Sequence, residues 1–216
     1  MMSMVPLYAD PLPATAPALL PNDKDVAASA DETHPLGVGA KIPDHLQLID
    51  ISGKPFNLNA AVAAKPTILI FYRGSWCPFC NLQMGQLEQL VPKLEAQGYQ
   101  ILAISPDLPQ NLQVSVGKHH LTYTLLSDSR MQVSQAFGLA FHVDDATYAH
   151  MLSFGVNLEA ATGTNQRELP VPAAYVLDRN GTIHFAYSNP NFKVRVDPDK
   201  LLTAATAALS AAKSPL

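Results

Sequence analysis

Cysteine is almost absent: the 216 residues hold two, Cys77 and Cys80. A secreted mini-protein stapled by several disulfides is therefore excluded, because one bridge closing a four-residue loop adds little loop-closure entropy to a chain of this size. An excess of basic charge is lacking too, since 14 Lys plus Arg against 18 Asp plus Glu leave a net charge of −4. That balance excludes a phosphate-binding surface as the main business of the chain, and with it a nucleic-acid partner. No apolar run approaches the ~18 residues of a membrane span, so no membrane partner is expected. The opening Met1-Met2-Ser3-Met4-Val5-Pro6 has neither a basic n-region nor a continuous apolar h-region, so no secretory signal is expected there. A soluble, cytoplasmic protein is the expectation. What is present is enough for a core: 48% of residues are hydrophobic, which excludes global disorder. At roughly 150 residues per domain, the length gives one domain with some chain left over.

The surplus lies at the start. Residues 1–38 hold Pro6, Pro11, Pro13, Pro17, Pro21 and Pro35, many alanines and a single aromatic, Tyr8. Bulky apolar groups recur there at neither 2.0 nor 3.6 residues, which reads as a Pro/Ala-rich arm, mobile or loosely docked, with a weak helix signal around Asp23–Ala30. Residues 39–212 carry the domain pattern. Alternating His45–Asp50 and short Phe56–Leu58 read as strands around a Ser52-Gly53-Lys54 turn. Thr67–Tyr72 is a continuous apolar run, as in a strand covered on both faces. Leu82, Met84, Leu87, Leu90, Val91 and Leu94 recur at three and four residues, which predicts an amphipathic helix from Pro78 to Gln97, kinked at Pro92 and ended by Gly98. Further strands are expected at Tyr99–Ile104 and Thr124–Leu126, and helices at Asn111–His119 and Met131–Phe137. Phe141–Arg167 has no clean period and reads as an insertion with helical pieces. Ala173–Leu177 and Thr182–Tyr187 flank Asp178-Arg179-Asn180-Gly181 as a β-hairpin, and a closing helix spans Pro198–Ala212. The order implies an α/β fold: a central mixed sheet flanked by helices, with an antiparallel edge.

The two cysteines stand as Cys77-Pro78-Phe79-Cys80, a spacing that two randomly placed cysteines show about 1 time in 100. They fall where a buried strand hands over to a helix. Pro78 suits the first helical position, where its missing N–H costs nothing. Both thiols then lie in the first turn, three residues apart on one face and close enough for a disulfide. Unpaired N–H groups and the positive end of the helix dipole favour a thiolate there, and Arg73 adds positive potential. On these grounds Cys77 is the exposed, low-pKa nucleophile and Cys80 the sheltered resolving thiol. A structural zinc site needs about four ligands, and His119, His120, His142 and His150 follow no zinc-ligand spacing. Inert buried thiols are the remaining bland alternative.

The segment Arg73-Gly74-Ser75-Trp76-Cys77-Pro78-Phe79-Cys80-Asn81, between its strand and its helix, resembles the peroxiredoxin-like branch of the alkyl hydroperoxide reductase/thiol-specific antioxidant family. The likeness extends through Gly39–Asp44, Ala103–Pro106, Leu125–Asp128, Ala136–Leu139 and Leu169–Asp178, covering about residues 37–210. It implies a thioredoxin-like fold and a peroxidase that needs no metal, haem or flavin. Its partners would be a hydroperoxide substrate and a thioredoxin- or glutathione-type reductant, and the chain would be a monomer or homodimer. The departures are local. Peroxiredoxins carry Pro-x-x-x-Thr-x-x-Cys, and in that register Arg73 takes the place of the Pro, Cys77 of the Thr and Cys80 of the peroxidatic cysteine. The family's distal Arg falls on Pro172, after Val171, where thioredoxins have a cis-proline beside their dithiol, so the resemblance implies a cis Val171–Pro172 bond.

Three functions fit these residues. The leading one is a thiol peroxidase cycling between dithiol and Cys77–Cys80 disulfide through a sulfenic acid. The second is a thioredoxin-type disulfide oxidoreductase, supported by the dithiol, Trp76 and Pro172. The third is a non-catalytic binding module using the arm or the 141–167 insertion. Family register names Cys80 as the attacking thiol, whereas position in the first helical turn names Cys77. Cys77 is the expected attacking thiol and Cys80 the resolving one, because the Thr and Arg that would activate a peroxide at Cys80 are missing.

Overall fold

A computed structural model describes residues 26–213 of the chain. Its frame is a seven-stranded sheet in the order β2-β1-β5-β4-β3-β8-β9. The strands are β1 (Gln47–Asp50), β2 (Pro55–Asn57), β3 (Thr67–Phe71), β4 (Gln100–Ser105), β5 (Thr124–Ser127), β8 (Ala173–Leu177) and β9 (Ile183–Ser188). The three central strands β3, β4 and β5 run parallel, and every other pairing in this sheet is antiparallel.

Alternation along β3 divides the interior into two layers. Ile68, Ile70 and Tyr72 face a core built with helices α2 (Pro78–Ala96), α3 (Pro109–His119) and α7 (Pro198–Lys213). Leu69 and Phe71 face the opposite core, closed by α1 (Leu58–Ala64) and α4 (Gln132–Ala136). There the rings of Phe71, Phe137 and Tyr175 meet tilted or edge-on with centroids 4.9–6.1 Å apart. A sheet covered on both faces explains why β3 reads as an unbroken apolar run.

The predicted central strands, the long helix, the hairpin and the closing helix all appear, with ends shifted by a residue or two. Helix α2 continues through Pro92. Helix α1 was not foreseen: Asn57 ends β2 and at the same time caps α1, its side chain accepting from Ala60 N–H, so Leu58 belongs to the helix rather than the strand. The 141–167 insertion contains α5 (Asp145–Ser153) and α6 (Leu158–Thr162), bracketed by β6 (Ala140–His142) and β7 (Glu168–Pro170), which pair antiparallel.

The expected helix around Asp23–Ala30 falls partly outside the described residues. Within them, Ala27 makes a bridge to Phe141, and the only helical turn nearby is a 3-10 turn at Ala30–Glu32. A backbone engaged in that bridge is not free for helix hydrogen bonds. Leu36 N–H donates to Phe137 O, and Ala30 and Leu36 pack on the Phe71 core. Gly138, at φ +68, lies directly under the His34 carbonyl, and a Cβ there would collide with it.

Candidate active site

The parallel strands set the place. Tyr72 N–H still donates to Ile104 O, and beyond it Arg73-Gly74-Ser75-Trp76 turns the chain over the carboxyl end of β3 into α2. Gly74 makes the turn possible, because its φ is +148 and the Trp76 indole lies where a Cβ would be. Ser75 N–H donates to the buried Asp107 carboxylate at 2.6 Å, and Asn81 Nδ2 donates to Ser75 O at 2.9 Å. The loop is thus held from the segment that follows β4 on one side and from α2 on the other. Cys77 is the N-cap of α2 with extended dihedrals, Pro78 opens the helix, and no side-chain oxygen caps it. The Cys77 sulfur stands where that oxygen would be.

Both sulfurs face a guanidinium. Arg195, from the segment between β9 and α7, points Nη2 at Cys80 Sγ, 3.2 Å away, and at Cys77 Sγ, 3.8 Å away. Its Nη1 donates to Gln83 Oε1 of α2 at 3.2 Å. Arg73 is buried, with its Cζ 4.1 Å from the Phe192 ring centre and 5.1 Å from that of Trp76. Phe192 in turn meets Phe79 edge-on, with centroids 5.8 Å apart. Stacking on these two rings holds the Arg73 guanidinium in place beside the sulfurs without a carboxylate partner among the described residues.

The electrostatics separate the two thiols. Cys77 is held well below the ordinary thiol range, at about 6. The principal cause is the hydrogen bond from the Cys80 thiol, with the Cys80 N–H, Arg73 and Arg195 adding to it while burial opposes. Cys80 moves the other way, raised first by burial and then by the proximity of Cys77. One proton shared between two close thiols produces this pattern: the donor keeps it and the acceptor ionises. The pair therefore presents one nucleophilic thiolate and one neutral thiol.

A family model described as the AhpC/TSA family matches residues 38–186, well over half of the chain. The chain belongs to the AhpC/TSA family. Among curated relatives, the chloroplastic peroxiredoxin Q of Gentiana triflora is 26% identical over 175 residues, covering 81% of this chain and 70% of that protein. The thiol-disulfide oxidoreductase ResA of Geobacillus thermodenitrificans is 25% identical over 149 residues, covering 68% of this chain and 67% of that one. Among solved structures, the peroxidoxin BcpB of Mycobacterium tuberculosis superposes with a TM-score of 0.61 at 19% identity, over 80% of this chain and 97% of that chain. The thioredoxin-like α/β fold implied by the motif is the one observed, and the protein is a peroxiredoxin-type oxidoreductase.

The residues singled out from the sequence do not all converge. Arg73, Trp76, Cys77, Pro78 and Cys80 lie together on the turn and first helical coil. Val171 does not join them, because its side chain belongs to the Phe71 core on the far face of the sheet. Pro172 lies beside the site's floor: Phe71 pairs with Ala173, so Pro172 comes level with Tyr72. The expected cis bond is absent, and Val171–Pro172 is trans like every other peptide bond among the described residues. The segment already has its partners in the trans form, with Val171 N–H donating to Leu139 O and Pro172 O accepting from Asn189 N–H. The expected exposure of Cys77 is also corrected. Cys77 is 1% exposed and Cys80 0%, because Trp76 and the Phe192–Arg195 segment close over the helix start.

Two groups that the structure places at the site have no counterpart in the sequence reading. Arg195 lies in an irregular segment 118 residues from Cys77, and no spacing rule links the two. Asp107 had a usable signal: it follows a buried parallel strand at its carboxyl end, where sites of open α/β sheets gather.

Proposed function

We propose that the protein is a thiol peroxidase in which the Cys77 thiolate attacks a hydroperoxide and Cys80 resolves the product. In the first step the O–O bond breaks and an S–O bond forms. The departing alkoxide or hydroxide takes up a proton, and Cys77 is left as a sulfenic acid. In the second, Cys80 sulfur forms the S–S bond, the Cys77 S–O bond breaks, and the hydroxyl leaves as water. A thioredoxin- or glutathione-type dithiol donor then reduces the Cys77–Cys80 disulfide. A cytoplasmic setting, reducing enough to sustain that last step, is part of the proposal.

The carrying observation is the Arg195 guanidinium, which donates toward both sulfurs at a helix N-terminus. It supports a thiolate before attack and provides a donor for the departing oxygen. A guanidinium from another part of the chain thereby stands in for the missing distal Arg of the peroxiredoxin pattern. The test is to add peroxide to reduced protein and follow loss of thiols and gain of the Cys77–Cys80 disulfide. Closure orders of magnitude faster than oxidation of free cysteine is expected, and a rate equal to free cysteine would sink the proposal.

A disulfide oxidoreductase is the second reading, favoured by the adjacent buried dithiol and by the ResA likeness. It predicts turnover of insulin disulfides and a potential near the thioredoxin value of roughly −270 mV. Peroxide inertness together with insulin turnover would select it.

A further inference from the structure

Helix α2 buries one row of side chains, and a long polar side chain interrupts it. Cys80, Met84, Leu87, Leu90, Val91 and Leu94 make up the row, with Gln83 set among them at 7% exposed. The recess beside Gln83, between α2 and the start of α7, is lined by Ile70, Leu87, Leu90, Val196 and Leu201. Packing alone would be served as well by a methionine, which has the same length and no polar atom to satisfy. A buried amide is costly unless it is hydrogen-bonded. The bond that Gln83 makes is to Arg195, whose Nη1 donates to Oε1 at 3.2 Å.

Arg195 depends on that bond. Among the described residues its guanidinium pairs with no carboxylate, and Gln83 Oε1 is the one oxygen to which it donates. Its Nε is buried without a partner there. A guanidinium is planar, so fixing one terminal nitrogen fixes the direction in which the other points. With Nη1 on Gln83, Nη2 falls 3.2 Å from Cys80 Sγ and 3.8 Å from Cys77 Sγ. Helix geometry supplies the match. Cys77, Cys80 and Gln83 follow one another at three-residue spacing, which keeps them on one face, and a single planar group reaches all three.

We propose that Gln83 is the positioning residue of the dithiol site: it aims Arg195 at both sulfurs, and because its amide is neutral it leaves the guanidinium's charge whole for them. A carboxylate in its place would hold the same nitrogen, but as an ion pair. It would also set an anion one helical turn from Cys80 and cancel much of the positive potential at sulfur. The other ionisable groups around the sulfurs do not take over this role. Arg73 stands on the turn, stacked on Phe192 and Trp76. The Tyr72 hydroxyl, at the end of β3, is driven up by burial and stays neutral, and Asp107 beyond it is engaged by Ser75 N–H. On the Arg195 segment Lys193 is exposed, and Asp197 accepts from the Asp199 and Lys200 N–H groups at the start of α7.

This role rests on the Cys77–Cys80 dithiol of the proposed function but not on peroxide as substrate. Reduced parent, Gln83→Met and Gln83→Glu proteins are alkylated with iodoacetamide across pH, and the midpoint for Cys77 is read by mass spectrometry. Gln83→Met keeps the length and volume but loses the acceptor, so its midpoint rises by about half a pH unit. Gln83→Glu keeps the acceptor but divides the charge, and its midpoint rises at least as far. In an Arg195→Gln background Gln83→Met adds nothing further, as expected of two residues that act through one contact. Urea melts of the same variants separate aim from packing, because a side chain that only fills space changes stability and leaves the midpoint in place. An unmoved midpoint in Gln83→Met would overturn the proposal. So would an equal rise in the Arg195→Gln background, or a fall in Gln83→Glu. Inertness toward peroxide would defeat the peroxidase reading and leave this comparison intact.

Discussion

Cys77 owes its acidity to neighbours rather than to water. It is buried, which by itself would raise a thiol's pKa, yet it is lowered because Cys80 donates to it and two guanidiniums lie close. The sign follows directly. Below about 6 Cys77 is a thiol and reacts slowly with electrophiles; above that it is a thiolate and reacts at its plateau. Removing the largest cause moves the midpoint most. Cys80→Ala is expected to shift the pH midpoint of iodoacetamide alkylation at Cys77 upward toward the ordinary ~8.5, and Arg195→Gln to shift it upward by less. Mass-spectrometric alkylation rates across pH read both, and an unmoved midpoint in Cys80→Ala would remove the hydrogen bond as the cause. The dithiol was legible in the sequence because its chemistry is local: spacing, Pro78 and the strand-to-helix handover all lie within a few residues. Its acidity was legible only in direction. The Cys80 donor and Arg195 depend on side-chain packing, which residue order does not encode at short range.

At the scale of elements, the irregular segment joining β9 to α7 matters more than its lack of pattern suggests. It brings Phe192 onto Arg73 and Phe79, Arg195 onto both sulfurs, and Val196 into the α2–α7 core. Substituting Phe192 with Ala removes the ring that Arg73 stacks on and one edge of the cover. Expected are a loss of about 1–2 kcal/mol in stability and faster alkylation of Cys77, read by urea melts and by iodoacetamide kinetics at fixed pH. Unchanged alkylation would mean that Phe192 does not limit access. The contrast with the regular elements is instructive. β3, α2 and the β8–β9 hairpin were legible because their apolar repeats run over five or more residues. β6 and β7 were not, since three residues each carry too little alternation to separate a strand from a loop. Helix α1 was hidden for a related reason: Asn57 serves both a strand end and a helix cap, and an alanine-rich turn offers few bulky residues to mark a face.

Across the whole molecule, the site's floor is supported from the face opposite the dithiol. Phe71 ends the strand that carries the dithiol turn, and it rests on Phe137 and Tyr175. Phe137 is the C-cap of α4, and its carbonyl is held by Leu36 N–H. Ala27 exchanges backbone hydrogen bonds with Ala140 and His142 on β6, so the stretch from 27 to 36 ties α4 and β6 to the body. The stabilisation is of ordinary size. Partial burial of Leu36 and Ala30 contributes about 1–2 kcal/mol, and the backbone bonds contribute about 1 kcal/mol more. A chain beginning at residue 39 should therefore unfold at lower urea than one beginning at residue 26, by about 2–3 kcal/mol. The Cys77 alkylation midpoint should be the same in both, because none of the groups that set it lies before residue 39. Equal urea midpoints would show that these contacts add nothing to stability. A shifted alkylation midpoint would instead show that support beneath β3 is transmitted to the geometry of the sulfurs, since the pair's acidity depends on distances that the floor would then control.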